Sequence, residues 1–372
     1  MRRYAALLVV VLLLAACRSG DDTVAVPTTP TSEAATTPAT PPPATTVVAP
    51  STAPALTTVP PPTTLPPPAP PTTTAAAPTQ CASHVSGGVN EVTLNAGGET
   101  HDVRVFVPPL LAGTQMPVVI DWHGLGSDGT QQAFYSDYET VAEEQGFIVV
   151  HPTGVAETPG GPNSWQLFPT PGGGRDDLAF AGALIDDLIA NWCADPARVY
   201  STGMSNGGFF TARLICEMAD RIAAAVSVAG TYHPESCHPA RDVPYMAIHG
   251  TADKVVPYLG GDSTLAGPGS DPGLKVFFEQ VIPDEFAEFA ADYACDATTT
   301  DTAVGSDVTQ HAYTGCDGDT PVIFDEVQGG GHTWPSSPLA SFTDGALGYT
   351  TTDIDATRDG WAFMSQFTLP GV

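Results

Sequence analysis

Residues 198–208 have the sequence RVYSTGMSNGG, and this stretch decides the fold of the chain. Residues 198–202 are typical of a β-strand, and an apolar helical pattern begins at Phe209. Between them lies Gly203-Met204-Ser205-Asn206-Gly207, a G-x-S-x-G sequence whose glycines permit a sharp strand-to-helix turn. Such a sequence is common in turns that have no catalytic role. The strand before it and the helix after it nevertheless make Ser205 a candidate nucleophile.

The chain on either side of this turn alternates between strand and helix patterns. Strands are predicted at residues 103–108, 116–120, 147–150, 198–202, 223–228, 245–248 and 322–327. Helices are predicted at residues 131–145, 177–192, 209–218 and 356–367. This alternation predicts an α/β-hydrolase fold, with a doubly wound, mostly parallel sheet flanked by helices. Functional residues in such a sheet lie at the carboxyl ends of the strands.

A serine nucleophile requires a general base, and that base requires a carboxylate to orient it. In this fold the chain order is serine, then aspartate or glutamate, then histidine. Asp253 ends the sequence HGTAD just after an apolar strand, and His332 lies in GGGHTWP just after another. We therefore predict a triad of Ser205, Asp253 and His332. His233, His238 and His249 could lie near this site, but none occupies the expected position.

Two backbone amides are expected to stabilise an oxyanion. The first belongs to Asn206, at the start of the helix that follows Ser205. The second should come from the loop after the third strand, which here has the sequence DWHGLG at residues 121–126. We assign it to Leu125, with Gly124 and Gly126 as alternatives.

Six motifs occur in an order that resembles one family of esterases. They are HGLGSDGTQ, NSW, RDDLAF, DPARVYSTGMSNGG, HGTADKVVPY and GGGHTWP. The chain is similar from about Val89 onward to the polyhydroxybutyrate depolymerase and feruloyl esterase family, secreted esterases related to carbohydrate esterase family one. The resemblance implies the triad above, Asn206 as an oxyanion donor, and an ester held near Trp165 and Trp334. Trp122 and Lys254 depart from the residues that are usual in the family.

The residues expected to bind substrate are Trp165, Trp334 and His123. Tryptophan in a Gly/Pro-rich loop beside a catalytic histidine could stack on a sugar ring, an aromatic acid or a polyester chain. The alternative is that both tryptophans only pack the loops. The Gly/Pro/Ser-rich residues 260–284 are predicted to be an insertion that could cap the cleft. Asp176 and Asp177 are expected to be helix N-terminal residues rather than catalytic acids.

The N-terminus predicts export. Residues 1–16 comprise two arginines, an apolar run and a small-residue cleavage site, as in a secretory signal peptide. The sequence Leu14-Ala15-Ala16-Cys17 resembles a bacterial lipobox, so Cys17 is the predicted lipidation site. An ordinary signal peptide is the alternative. Residues 17–80 form a Thr/Pro/Ala-rich linker that we predict to be disordered, and residues 81–372 form the catalytic domain.

Charge and cysteine content limit the partners and the cofactors. The net charge of −29 disfavours nucleic acid and anionic lipid, so membrane contact is expected only through the lipid anchor. Six cysteines follow Cys17, and an even number in an exported chain predicts disulfides. Sequence cannot choose among the 15 pairings, and we favour Cys295–Cys316. No Cys/His motif indicates a metal, no cofactor is expected, and we expect a monomer.

These features predict an extracellular serine esterase that acts through an acyl-enzyme, with polyhydroxybutyrate, feruloyl or acetyl-xylan esters as candidate substrates. Two alternatives belong to other functional classes. A peptidase of the same fold would need a binding site for a peptide terminus or an added propeller domain, and the sequence shows neither. A polymer-binding surface lipoprotein without activity would be expected to have lost part of the triad, and a fluorophosphonate probe would distinguish it.

Overall fold

The computed structural model describes residues 86–168, 174–234, 237–265 and 278–371, which belong to a compact unit that spans Thr73–Val372. The predicted signal peptide, Cys17 and the linker lie outside the described residues, and so do residues 266–277 of the predicted 260–284 insertion. None of the helices in the described ranges has the length and apolar character needed to cross a membrane.

The core of the domain is a sheet of ten strands, and a two-stranded hairpin lies apart from it. The strands are β1 (Gly88–Ala96), β2 (Glu99–Val107), β3 (Met116–Trp122), β4 (Ile148–Pro152), β5 (Val155–Ala156), β6 (Asn163–Ser164), β7 (Ala194–Met204), β8 (Ala224–Val228), β9 (Tyr245–Gly250), β10 (Thr299–Val304), β11 (Val308–Tyr313) and β12 (Val322–Val327). Strands β5 and β6 form the hairpin.

The large sheet has the order β1-β2-β4-β3-β7-β8-β9-β12-β11-β10. Its six central strands, from β4 to β12, run parallel, and two antiparallel strands extend each side. Strands β3, β4, β8 and β9 are buried along their whole length, as expected for parallel strands covered on both faces. This arrangement confirms the predicted α/β-hydrolase fold class.

Helices cover the two faces of the sheet. They are α1 (Gly129–Ser136), α2 (Tyr138–Gln145), α3 (Asp177–Asn191), α4 (Asn206–Glu217), α5 (Ile282–Asp292), α6 (Ala340–Leu347) and α7 (Ala356–Met364). Apolar side chains of α3, α4 and α5 form one core cluster with the sheet, and those of α2 and α7 form a second. Strand β3 contributes Ile120 to the first cluster and Val119 to the second, because successive side chains point to opposite faces.

Several boundaries differ from the prediction. The helix expected at residues 131–145 is two helices, because Asp137 adopts a left-handed conformation with φ 59° and separates α1 from α2. Asp176 caps α3 by accepting a hydrogen bond from the Ala179 amide, as predicted for a helix N-terminal residue. Strands β1, β10 and β11 and helices α5 and α6 were not predicted. Most residues of β10 are exposed, so this edge strand lacks the apolar alternation that identifies a strand.

Disulfides fix two segments of the domain. Cys295 is bonded to Cys316, which confirms the favoured pairing, and Cys216 is bonded to Cys237. Cys193 is disulfide-bonded as well. Each of the two described bridges closes a loop with a sequence separation of 21 residues, for which chain entropy gives about 3 kcal/mol of stabilisation.

Candidate active site

Ser205 lies on a strained turn between β7 and α4. Its backbone has φ 55° and ψ −119°, a conformation that side-chain-bearing residues rarely adopt. The turn is possible because its neighbours lack side chains: a Cβ added at Gly203 would lie 2.6 Å from the carbonyl carbon of Gly207. A Cβ added at Gly207 would lie 2.0 Å from the carbonyl oxygen of Trp122. The G-x-S-x-G sequence therefore forms the predicted sharp strand-to-helix turn.

The sheet brings the three predicted triad residues to one edge. Ser205 follows β7, Asp253 follows β9 and His332 follows β12, and only β8 separates the first of these strands from the second. All three residues are nearly buried, with exposed fractions of 8%, 5% and 5%. The Ser205 hydroxyl makes no hydrogen bond to any residue that the structure describes. Catalytic hydrogen bonds are often long in free enzymes and shorten when substrate binds.

Asp253 is held by hydrogen bonds on both carboxylate oxygens. Oδ1 accepts the backbone amides of Val255 and Val256 at 2.8 and 2.9 Å, and Oδ2 lies 2.8 Å from His332 Nδ1. Burial raises the pKa of Asp253, but the charge and hydrogen bond of His332 outweigh it, and the net pKa is lowered. The carboxylate therefore stays ionised at neutral pH and can orient the imidazole.

A second histidine, His249, contacts the same carboxylate. Its Nε2 lies 2.9 Å from the carbonyl oxygen of Val256 and 3.4 Å from Asp253 Oδ2. Burial lowers the pKa of His249, so the ring is neutral near pH 7 and Nε2 carries the proton that Val256 accepts. From its sequence context His249 was predicted to lie near the site, without a role. Its place four residues before Asp253, at the end of the same strand, was the available signal.

The predicted oxyanion donors belong to the start of α4 and to the loop after β3. Asn206 is the first residue of α4, where helix amides have no intrahelical acceptor. In the facing loop the Gly126 amide donates to the carbonyl oxygen of Asn163 at 2.8 Å, so it is already occupied. A Cβ added at Gly124 would lie 3.4 Å from the Ser205 Cβ, which places this loop against the nucleophile. Gly124 and Leu125 remain the candidates for the second donor.

The three residues predicted to bind substrate are buried. Trp165 is 2% exposed and Trp334 is fully buried, and the Trp334 indole nitrogen donates to Thr357 Oγ1 at 2.9 Å. His123 is also buried, and burial lowers its pKa to about 4. The expectation of stacking on substrate is not supported, since a stacking platform needs an exposed ring face. The alternative of loop packing describes these side chains better.

His233, Cys237 and Asp292 form the one group of potential metal ligands within the described ranges. The Cys237 sulfur is bonded to Cys216, so it cannot act as a thiolate ligand. His233 Nε2 lies 2.8 Å from Asp292 Oδ2, which accounts for the other two members. The group is therefore explained by a disulfide and a hydrogen bond.

The geometry predicts a simple pH profile for activity. Histidine bases work in the neutral form and titrate near pH 6.5 in general. The lowered pKa values of Asp253, His249 and His123 keep these groups from adding a second ionisation in that range. We expect kcat/KM to rise through one ionisation between roughly pH 6 and 7.5 and then to plateau. A limb with a slope of two would show that another group near Ser205 titrates.

Comparisons with known proteins agree with this geometry. Residues 102–258 match the family model described as "Esterase PHB depolymerase". The chain is 27% identical over 274 residues to a bifunctional acetylxylan esterase/xylanase of Neocallimastix patriciarum, covering 74% of this chain and 34% of that protein. It is 29% identical over 259 residues to feruloyl esterase B of Piromyces equi, covering 68% of this chain and 42% of that protein. The chain thus spans less than half the length of these two relatives.

One solved structure shows the same fold. The acetyl xylan esterase from Aspergillus awamori superposes with a TM-score of 0.50 at 18% identity. The match covers 75% of this chain and 99% of that one. At this identity the likeness concerns the fold alone.

Proposed function

Because the chain belongs to the polyhydroxybutyrate depolymerase and feruloyl esterase family, we propose that it is a serine esterase that hydrolyses carboxylic esters through an acyl-enzyme. The observation that carries this proposal is the strained turn at Ser205, on the same sheet edge as the His332–Asp253 hydrogen bond. Such a turn is retained where a reactive hydroxyl must stand clear of the sheet.

In the proposed reaction His332 removes the proton of the Ser205 hydroxyl as its oxygen attacks the ester carbonyl. The oxyanion of the tetrahedral intermediate accepts hydrogen bonds from the Asn206 amide and from Leu125 in the facing loop. His332 then protonates the departing alcohol, and the acyl group stays on Ser205. Water, deprotonated by His332, then attacks that acyl group; the bond to Ser205 Oγ breaks, Ser205 takes the proton from His332, and the acid is released. Asp253 holds the imidazole with Nε2 directed at the serine.

We propose that the ester belongs to a decorated plant polysaccharide or to a polyester oligomer. The relatives are named for acetylxylan and feruloyl esters, and the matching family model for polyhydroxybutyrate. The test is a screen of purified protein against acetyl-xylan, feruloyl and polyhydroxybutyrate substrates, together with p-nitrophenyl esters of graded chain length. Turnover of none of these esters, by protein that is folded, would overturn the proposal.

We further propose that the esterase is extracellular, consists of residues 81–372, and is tethered by a lipid on Cys17 through the residues up to 80. The support comes from the sequence: an n-region, an apolar run and the LAAC sequence before a charge-poor linker. A tether of this kind leaves a surface esterase free to reach a polymer that cannot enter the cell.

Substitution of Cys17 with serine tests the tether. We expect the wild-type protein to sediment with membranes, because the lipid anchors it. The Cys17→Ser protein should be released or should remain as an uncleaved precursor. Fractionation followed by N-terminal mass analysis measures both. If both proteins are released alike, after cleavage at another position, the lipid anchor is excluded.

A further inference from the structure

Two motifs singled out in the sequence, NSW at residues 163–165 and RDD at residues 175–177, have no place in the proposed triad. The structure connects the first of them to the turn of the nucleophile. The side chain of Asn206 accepts the Trp165 amide at 2.6 Å through Oδ1 and donates to the Trp165 carbonyl oxygen at 3.1 Å through Nδ2. The backbone of Trp165 is therefore fixed to the residue whose own amide is the first oxyanion donor.

The side chain of Trp165 contacts the loop after β3, which carries the second candidate oxyanion donor. Its indole nitrogen donates to the carbonyl oxygen of His123 at 3.0 Å. His123 Nε2 accepts the Gly154 amide at 2.9 Å, so the proton is on Nδ1, which donates to the carbonyl oxygen of Gly124 at 2.7 Å. The loop that carries the second oxyanion donor is thus held by the indole on one side and by a neutral, buried histidine on the other.

The RDD motif holds the NSW segment. Arg175 donates to the carbonyl oxygens of Val155 and Ser164, on the two strands of the small hairpin, and pairs with Asp177. Asp177 is fully buried and accepts the amide of Gln166 at 2.7 Å. The residues before and after Trp165 are therefore both bound to one buried ion pair.

We propose that Trp165 is a positioning residue, held by Arg175 and Asp177, that fixes the separation between the two oxyanion donors. This inference rests on the proposed esterase function, because it assigns a purpose to the Asn206 and Leu125 amides. An oxyanion donor is effective only when it is about 2.7–3.1 Å from the oxygen in the tetrahedral state, and loss of one donor costs roughly 100- to 1,000-fold in kcat. A residue that is bonded to Asn206 through its backbone and to the facing loop through its indole would preserve that distance.

Trp165→Phe is the direct test. Phenylalanine keeps an aromatic ring beside Trp122 and Phe210 but removes the indole N–H that His123 accepts. We expect kcat per active site to fall roughly tenfold to a hundredfold while KM changes by less than about threefold, because the donors act on the transition state more than on the ground state. Active-site titration removes the contribution of unfolded protein.

Trp192→Phe is the matched control. Its indole nitrogen also donates to a side chain, Asp187 Oδ2 at 3.0 Å, but it lies at the opposite end of α3 from Asp177. We expect its kcat to equal that of the wild type. If Trp165→Phe retains kcat as fully as Trp192→Phe does, the proposal is wrong.

A second variant covers the case in which Trp165→Phe fails to fold. Asn206→Ala removes both side-chain hydrogen bonds to Trp165 but keeps the Asn206 backbone amide. We expect the same fall in kcat with KM little changed. The kcat of the double variant should be no lower than that of the less active single variant, because both substitutions break the same connection between the two donors. Additive losses, or no loss in Asn206→Ala, would contradict the inference.

The rate of labelling by a fluorophosphonate separates this inference from the proposed function. Phosphonylation of Ser205 depends on the same two oxyanion donors. Trp165→Phe should therefore be labelled more slowly than Trp192→Phe, even if the natural ester is unknown. Equal labelling rates in both variants would refute the positioning role and leave the esterase proposal intact. Labelling without turnover of any ester would refute the esterase proposal, and the labelling rates would still decide the role of Trp165. No labelling of the wild type would overturn both.

Discussion

Replacement of Ser205 with alanine is expected to lower kcat for ester hydrolysis by roughly a million-fold, as occurs when the nucleophile of a triad is removed. The residual rate would come from the oxyanion donors and from substrate binding. The protein should stay folded, because alanine only removes a hydroxyl that makes no hydrogen bond within the described residues. Because the removed hydroxyl is nearly buried, its loss also removes a desolvation cost. We therefore expect the melting temperature to stay close to that of the wild type.

Kinetics with a p-nitrophenyl ester and thermal unfolding measure the two effects together. Ser201→Ala is a suitable control, since this buried hydroxyl lies on β7, the strand that precedes Ser205, and accepts the indole N–H of Trp122 at 2.9 Å. We expect Ser201→Ala to lose stability and to retain activity per active site. Retention of more than about a tenth of wild-type kcat by Ser205→Ala would remove Ser205 from the mechanism, because nucleophile loss costs far more than that.

Replacement of Asp253 with asparagine is expected to lower kcat by up to about four orders of magnitude. The structure supplies the reason. The oxygen that accepts the amides of Val255 and Val256 must remain an oxygen, so the new NH2 group would face His332 Nδ1. That group forces Nδ1 to accept, places the imidazole proton on Nε2, and prevents His332 from taking the proton of Ser205.

Asp325→Asn is the matched control for this loss. Asp325 is also a buried carboxylate, on β12, and accepts Gln310 Nε2 at 3.0 Å. Burial raises its pKa to about 6, so an uncharged side chain is tolerated there more readily than at Asp253. We expect Asp325→Asn to keep wild-type kcat. If Asp253→Asn is nearly as active as the wild type, the assignment of the triad carboxylate is wrong and that of the serine is unaffected.

Much of the fold followed from local patterns. The strand, turn and helix around Ser205 occupy one continuous stretch, so the local sequence pattern indicates their geometry directly. The central strands were predicted because parallel strands buried on both faces are continuous apolar runs. The order of serine, aspartate and histidine at successive strand ends then placed the three candidate triad residues, since the carboxyl ends of parallel strands share one edge.

Contacts between distant parts of the chain could not be predicted in this way. Trp165 and Trp334 lie in Gly/Pro-rich loops, a setting typical of exposed residues, yet both are buried because other elements cover them. Asp137 ends α1 although the apolar spacing continues through it. Only the packing of separate loops brings the side chain of Asn206 to Trp165 and the indole of Trp165 to His123. Sequence alone therefore determined the fold class and the candidate triad, because their signals are local periodicity and chain order. Tertiary structure decided burial and the hydrogen bonds around the oxyanion loop, because these join residues about 40 positions apart.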